Sequence, residues 1–499
     1  MPRNQESKNL LLFNALNINK YASEPLPDGS SAIERSDTYG KSLEWIDEIR
    51  YLVSPGVRLD GMRCFEVDGD SPSELLEAFP FEEFDIIVYA YADCPFLDLE
   101  ITDKMYGNHR RYLAQYSFAD GYPYGMTPEI LSSEVVPKLR SLAESVAGPI
   151  ERDTLFKVIQ EDINAFDIET ELSPMDQRLL RVSASADTKK NFTIIQRIVE
   201  SGGRDCKTVT AVLDDHPELL RSQPAYISLQ LVDGCPQRCS YCPFPLVGGD
   251  ILNQRNFMDL KYIKLIVEQV EEYCEDAVFN VSVWGEPSLH PDLEGVVSII
   301  CGDHGFRLVV ETSCIGWSRE RVDELLDRFG EKITWICSLD AETPELYKSL
   351  RGEGYDEAQT TAEYLLERSK ENTYIQAVRM RENEEHLESF YRRWKKKTDR
   401  VIIQKYSNFA GFLPDRRVAD LSPVTRFPCW HIKRDLIVLL DGSVPACRED
   451  IKISKALGNI YEEPLAEIWP RGDDWFKKHI AGDYPEMCRK CDEYYTFNY

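Results

Sequence analysis

Three closely spaced thiols are the residues of this chain best suited to chemistry. The stretch Asp-Gly-Cys-Pro-Gln-Arg-Cys-Ser-Tyr-Cys-Pro, residues 233–243, carries Cys235, Cys239 and Cys242. Within one turn-rich segment such thiols can face a single point, and thiolates are the usual ligands of iron–sulfur clusters. Three ligands on a four-iron cube leave one iron open to something other than protein. The interleaved Pro236, Gln237, Arg238 and Ser240 set this loop apart from cysteines that merely fill a core. Zinc is the competing occupant, although it usually takes cysteines as two separated pairs. Residues 226–232, just before, alternate apolar and polar like a strand. The thiols therefore follow a strand's C-terminal end, where α/β folds place their chemistry.

The spacing, with aromatic Tyr241 before the last cysteine, resembles the signature of the radical S-adenosylmethionine (SAM) superfamily. That resemblance implies a [4Fe-4S] cluster on Cys235, Cys239 and Cys242 that binds SAM through its open iron. Further matches follow at the ends of later strand-like runs. Trp284-Gly-Glu-Pro287 resembles the family's Gly-Gly-Glu-Pro segment, with Trp284 in place of one glycine. Gly285 and Glu286 are expected to grip the SAM amino group, the glycine by close backbone approach and the acid by charge. Thr312 and Ser313 match positions that contact the ribose. Ser338 and Arg351, in the Ser-Leu-Asp and Leu-Arg-Gly segments, are expected to hold the SAM carboxylate.

A second thiol group lies near the end of the chain: Cys429, Cys447, Cys488 and Cys491. Residues 435–441 read as a strand entering a hairpin turn at Gly442, which would bring Cys429 toward Cys447. Four cysteines fully ligate one four-iron cluster, and zinc accepts the same set. With the Gly-Asn-Ile to Ile-Trp stretch between the pairs, the segment resembles the shortened SPASM, or "twitch", domain. The resemblance implies one auxiliary [4Fe-4S] cluster.

Residues 1–220 form a separate expected domain. Residues 9–13 and 84–90 read as buried strands, with helical patterns over 32–49 and 134–145. Asp93 and Asp187 each stand in a segment following a strand-like run, where two carboxylates can hold Mg2+ against nucleotide phosphates. Together with residues 121–129, they resemble the cytidylyltransferase branch of nucleotide-sugar transferases. The family's phosphate-cradling loop is altered here: Ala32 replaces its arginine, and Glu34 adds an acid that repels phosphate. A repurposed binding domain is thus expected alongside the alternative of an active transferase.

Between the first domain and the tail, residues 221–405 alternate six strand-like runs with helical ones. Right-handed crossovers on that pattern give a parallel sheet curled into a partial (β/α)6 barrel. The expected architecture is α/β throughout: 1–220 transferase-like, 221–405 barrel, 425–499 cluster domain. The order resembles the "spiro-SPASM" proteins.

Of 499 residues, 43% are hydrophobic and 29% charged, as in an ordinary globular protein. A formal charge of −28 argues against a nucleic-acid binder, which needs a basic face. The basic run at residues 392–397 suits a helix C-terminus. No run approaches the ~20 apolar residues needed to cross a bilayer. With no leader-like start, fourteen cysteines fit a reducing cytoplasm better than a disulfide scaffold. The radical SAM resemblance implies a flavodoxin or ferredoxin as electron donor and hydrogen abstraction from substrate. An alcohol or amine on a sugar, nucleotide-sugar or related metabolite is the expected substrate class. A peptide or protein substrate is the enzymatic alternative, and a metal-stabilised protein without catalysis the non-enzymatic one.

Overall fold

The computed structural model describes residues 7–424 and 426–495. Residues 1–6, Thr425 and 496–499, which belong to the expected first and last domains, lie outside the described residues. The chain divides into two compact units, Met1–Leu220 and Arg221–Tyr499.

The first unit is built on β1 (Asn9–Ala15), β2 (Glu48–Val53), β3 (Cys64–Glu66), β4 (Ile86–Tyr91), β5 (Tyr116–Asp120), β6 (Glu129–Ser132) and β7 (Ile168–Leu172). They form one mixed sheet in the order β3-β2-β1-β4-β6-β5-β7, with β6 antiparallel to both neighbours. Every residue of β1 is buried. Leu10 and Leu12 feed one core while Leu11 and Phe13 feed the other, the period-two alternation of a strand covered on both faces.

The helical pattern expected over residues 32–49 is cut short. The helix is Ala32–Ser42, and β2 starts at Glu48. The intervening residues carry no Gly or Pro to announce the break, and pairing of Glu48–Val53 with β1 overrides the local periodicity. Gly40 lies where that helix touches the sheet: a Cβ there would meet Leu11 Cδ2 at 2.7 Å.

In the second unit, six strands follow in order: β8 (Tyr226–Leu229), β9 (Val278–Asn280), β10 (Arg307–Thr312), β11 (Ile333–Ser338), β12 (Thr373–Arg379) and β13 (Val401–Lys405). All are parallel to their neighbours, as crossover helices require. The helix Leu260–Tyr273 buries Ile263, Ile266, Val267 and Val270, the apolar face that its sequence spacing presents.

A seventh strand, β14 (Asp435–Val438), comes from the tail and pairs in parallel with β8, giving the order β13-β12-β11-β10-β9-β8-β14. The turn expected after residues 435–441 is present, with Leu439 N donating to Ser443 O and Gly442 N to Leu439 O, each at 2.9 Å, while the strand itself pairs with β8. Beyond the turn, β15 (Ser443–Pro445) pairs with β16 (Ala456–Asn459). All four residues of β14 are buried, so it makes a sheet strand rather than one arm of a surface ribbon. Among the described residues no helix is long and apolar enough to cross a membrane.

Candidate active site

The loop after β8 is pinned from both sides by groups far away in sequence. Asp233 accepts hydrogen bonds from Asn256 N at 3.0 Å and Asn256 Nδ2 at 2.6 Å, and Cys235 N donates to Ile251 O at 2.8 Å. On the other side, Ser240 N donates to Leu350 O at 2.7 Å and Arg238 N to Arg351 O at 3.3 Å. Gly234 is required by contact, since a Cβ there would meet Gln254 O at 2.3 Å.

The loop's three thiols share one environment. Burial pushes all three up, Cys242 to about 12, and the Cys239 and Cys242 charges raise Cys235 further. Left alone, such thiols stay protonated; binding a metal is what converts them to thiolates. The Glu286 charge also raises Cys235.

Glu286 is buried, and four donors converge on it: Thr312 Oγ1 at 2.6 Å, Ser313 N at 2.8 Å, Ser313 Oγ at 2.6 Å and Ser288 N at 3.5 Å. Burial still raises its pKa, against the opposing effect of those donors. The hydroxyls of Thr312 and Ser313, expected at a ribose, orient this acid. Glu286 N donates to Gly234 O at 2.9 Å, tying this turn to the cysteine loop. Gly285 cannot carry a side chain: its Cβ would lie 2.2 Å from Val232 O. Trp284 adopts φ +45°, in the left-handed region where the family segment has glycine. A non-glycine residue there costs roughly 1–2 kcal/mol.

Ser338 and Arg351 have different hydrogen-bond partners. Ser338 Oγ faces Glu311 Oε1 at 3.4 Å and Gln376 Nε2 at 3.2 Å. Arg351 packs against the cysteine loop, where its guanidinium donates to Asp340, Tyr241 OH and, at 2.8 Å, Gln237 Oε1. Its side chain is 5% exposed and that of Asp340 0%, so turning Arg351 toward a ligand carboxylate would strand a buried charge. Tyr241 OH donates to the same Asp340 carboxylate. Gln237 completes the set, donating to Tyr347 OH at 2.7 Å. Sequence reading did not single out Asp340, Gln237 or Tyr347, although Asp340 lies in the quoted Ser-Leu-Asp segment and Gln237 inside the cysteine loop.

Polar side chains also meet at the strand ends. Gln376 Nε2 of β12 donates to Glu311 Oε1 of β10 at 2.8 Å. Arg448, which follows Cys447, is near enough that Glu311 raises its pKa, after the larger opposing effect of burial and the charges of Glu449 and Glu493.

The second thiol group also converges. Burial raises Cys429 to about 12 and Cys488 to about 11, and drives Cys447 and Cys491 well up. Cys488 raises Cys429, while Cys429 and Cys491 raise Cys447. Glu449 N donates to Cys447 Sγ and Glu493 N to Cys491 Sγ, each at 3.4 Å. Backbone donors of this kind tune iron–sulfur sites. Among the described residues, no three His, Cys, Asp or Glu side chains converge tightly enough to hold a single metal ion. Of the remaining seven cysteines, all but Cys64 are buried, in keeping with thiols acting as small hydrophobes.

Asp93 and Asp187, expected at a metal, do converge, but on Arg152.

Comparison with known proteins agrees with the cysteine chemistry. Residues 229–393 match the model of the radical SAM superfamily, and residues 429–492 that of an iron–sulfur cluster-binding domain, SPASM. A protein of Treponema pallidum (strain Nichols), described as "Uncharacterized protein", is 35% identical over 362 residues, 69% of this chain and 98% of that one. The ribosomal protein uS12 methylthiotransferase RimO of Pelotomaculum thermopropionicum is 26% identical over 115 residues, 21% of this chain and 25% of its own. Among solved structures, Streptococcus suis SuiB bound to S-adenosylmethionine is 17% identical, covering 53% of this chain and 70% of SuiB, with a TM-score of 0.43. A cytidylyltransferase from Leptospira borgpetersenii is 18% identical, covering 44% of this chain and 98% of its own, with a TM-score of 0.37. The chain belongs to the radical SAM superfamily, as an enzyme whose radical SAM domain is followed by an iron–sulfur cluster-binding SPASM domain.

Proposed function

We propose that Cys235, Cys239 and Cys242 hold the SAM-binding [4Fe-4S] cluster, and that Cys429, Cys447, Cys488 and Cys491 hold one auxiliary [4Fe-4S] cluster. Residues 221–405 then form the SAM-cleaving part and 425–499 the auxiliary part of the second unit. The observation that carries this reading is that the three-thiol loop is tied to the turn of the buried Glu286, through Glu286 N donating to Gly234 O at 2.9 Å. The donor sets fit by their chemistry: three thiolates leave one iron of a four-iron cube open, and four close a second cube completely.

When bound and reduced, the first cluster with SAM supplies a 5′-deoxyadenosyl radical that takes a hydrogen atom from substrate. The protein's own residues do the rest. Glu286, locked by Thr312 and Ser313, presents a fixed carboxylate to the SAM ammonium, and Gly285 lets the backbone approach. Tyr241 and Arg351 brace the cysteine loop. Glu311, Gln376 and Ser338 line the strand ends with hydrogen-bonding groups, which suits a polar substrate such as an alcohol or amine on a sugar or related metabolite. The four-thiol site, with no ligand position to spare, serves to accept an electron, so that the net reaction is an oxidation. A flavodoxin or ferredoxin in the cytoplasm is the proposed donor.

The test uses anaerobic, cluster-loaded full-length protein with SAM, dithionite and panels of sugars, sugar nucleotides and peptides carrying C–D bonds. Deuterium entering 5′-deoxyadenosine from a hydroxylated or aminated small molecule is the expected result. Transfer from peptides alone would replace the substrate class with the alternative.

Two substitutions probe the assignments separately. Glu286→Ala is expected to weaken SAM binding about 10–100-fold, the loss of a charge-assisted contact, measured by anaerobic calorimetry. Wild-type affinity in that variant would remove Glu286 from the SAM site. Cys488→Ala is expected to lower iron from about eight to about four per chain while leaving SAM cleavage measurable. Zinc in place of half the iron in wild type would instead assign the tail to a structural metal.

A further inference from the structure

The cytidylyltransferase resemblance of the first unit implies a divalent cation between Asp93 and Asp187. The carboxylates are indeed adjacent, but the groups present do not fit a cation. Arg152 Nη1 donates to Asp93 Oδ1 at 3.0 Å, and Nη2 to the other oxygen of the same carboxylate. Its Nε lies 3.0 Å from Asp187 Oδ2. One planar guanidinium thus spans both acids, bidentate on the first, the geometry in which arginine binds carboxylate best. The ring of Tyr91 lies 4.8 Å from the guanidinium carbon and that of Tyr124 5.6 Å, adding cation–π attraction.

The acids are themselves fixed from elsewhere. Asp93 is buried at 5% exposure, and its carbonyl accepts Ala186 N at 2.8 Å, joining the two acidic segments through the backbone. Asp187 Oδ1 accepts Asn191 Nδ2 at 2.8 Å. Burial works against the charge on Arg152, yet hydrogen bonds and charge from Asp93 hold its pKa above the ordinary arginine range.

A second feature is independent of the first. The segment matching the family's phosphate cradle is closed by its own side chains. Ser31 N donates to Glu34 Oε2 at 2.7 Å, and Glu34 N to Ser31 Oγ at 3.2 Å, a capping box that satisfies the amides a phosphate would need. Arg35, the nearest cation, is held by Asp28 Oδ2 at 2.6 Å and Ser30 Oγ at 2.8 Å.

We propose that Arg152 permanently takes the place of the divalent cation in the first unit, which therefore works without metal and transfers no nucleotide. This does not depend on the SAM-cleaving reading, because the residues involved all lie in the first unit.

The test measures Mn2+ binding to cluster-loaded full-length protein by equilibrium dialysis, with melting followed in parallel. Wild type and Asp93→Asn are expected to take up Mn2+ equally, showing no Asp93-dependent site. Arg152→Ala frees both carboxylates and is expected to gain one Mn2+ per chain, at least about tenfold tighter than wild type. That gain should vanish in Arg152→Ala/Asp187→Asn. Arg152→Lys, which keeps a cation on the pair, should stay folded and metal-free. Wild-type uptake of Mn2+ that Asp93→Asn abolishes would overturn the proposal, as would pyrophosphate release from CTP and Mg2+ by wild type. A folded Arg152→Ala without added Mn2+ binding would overturn it too. Should Arg152→Ala fail to fold, the comparison of wild type with Asp93→Asn decides alone.

Discussion

Cys239→Ala is expected to abolish formation of 5′-deoxyadenosine, a loss of at least about 1,000-fold, with about four fewer irons per chain. Cys239 is the middle thiol, and two remaining cysteines do not hold a four-iron cluster. The substitution removes one weak contact, Cys239 Sγ donating to Gln237 Oε1 at 3.8 Å, and leaves the backbone anchors of the loop intact. Cys242 N donates to the carbonyl of Cys239, and Ser240 N to Leu350 O, neither using the thiol. The melting temperature of the apoprotein should therefore move little. A variant that retains cleavage would show that the thiol is not a ligand. One that unfolds would show that the loop is held chiefly through the Cys239 thiol and its contact with Gln237.

Asp340→Asn gives the largest expected change in stability, about 3–5 kcal/mol in denaturant unfolding, because it removes one charge of a fully buried pair. Arg351 keeps Tyr241 OH and Gln237 Oε1 as partners, but neither carries a balancing charge. Asparagine is the informative replacement: Asp340 has φ +62°, a conformation asparagine tolerates, and its Oδ1 accepts Val378 N at 2.7 Å, a bond an amide oxygen can keep. The double variant Asp340→Asn/Arg351→Met should recover much of the loss, since no unpaired charge then remains. Failure of the second change to rescue would mean that the Asp340 carboxylate acts through Tyr241 OH rather than through the Arg351 charge.

These two results concern parts of the site that differed in how far the sequence revealed them. The cysteine loop and the Gly285–Glu286 turn were legible because each is a local pattern. Spacing within a dozen residues carries the chemistry, and Gly234 and Gly285 explain themselves once neighbouring carbonyls are seen at 2.3 and 2.2 Å. The four tail thiols, spread over residues 429–491, were legible instead from their grouping around the Gly-Asn-Ile to Ile-Trp stretch. The brace of the cysteine loop was not legible. Arg351 reaches Gln237 across 114 positions and Asp340 across 11, so the pairing exists only after the parallel strands are assembled. The same holds for Thr312 and Ser313, whose partner Glu286 lies on the neighbouring strand's loop.

At the level of the fold, the six alternating strands and helices of the second unit read clearly from periodicity. The seventh strand did not, because residues 435–438 are equally good as a hairpin arm, and only pairing with β8 decides between the two. In the first unit, the two acids were found by their settings after strand-like runs. Arg152 was missed because no spacing relates it to Asp93, 59 residues away.

The central claim is that three thiols in one loop hold a cluster that cleaves SAM. The most direct measurement is chromatographic detection of 5′-deoxyadenosine from wild-type protein reconstituted with iron and sulfide, given SAM and dithionite without oxygen. The account predicts dithionite-dependent formation of that nucleoside in excess of the protein present. Full iron loading with SAM returned intact would contradict it.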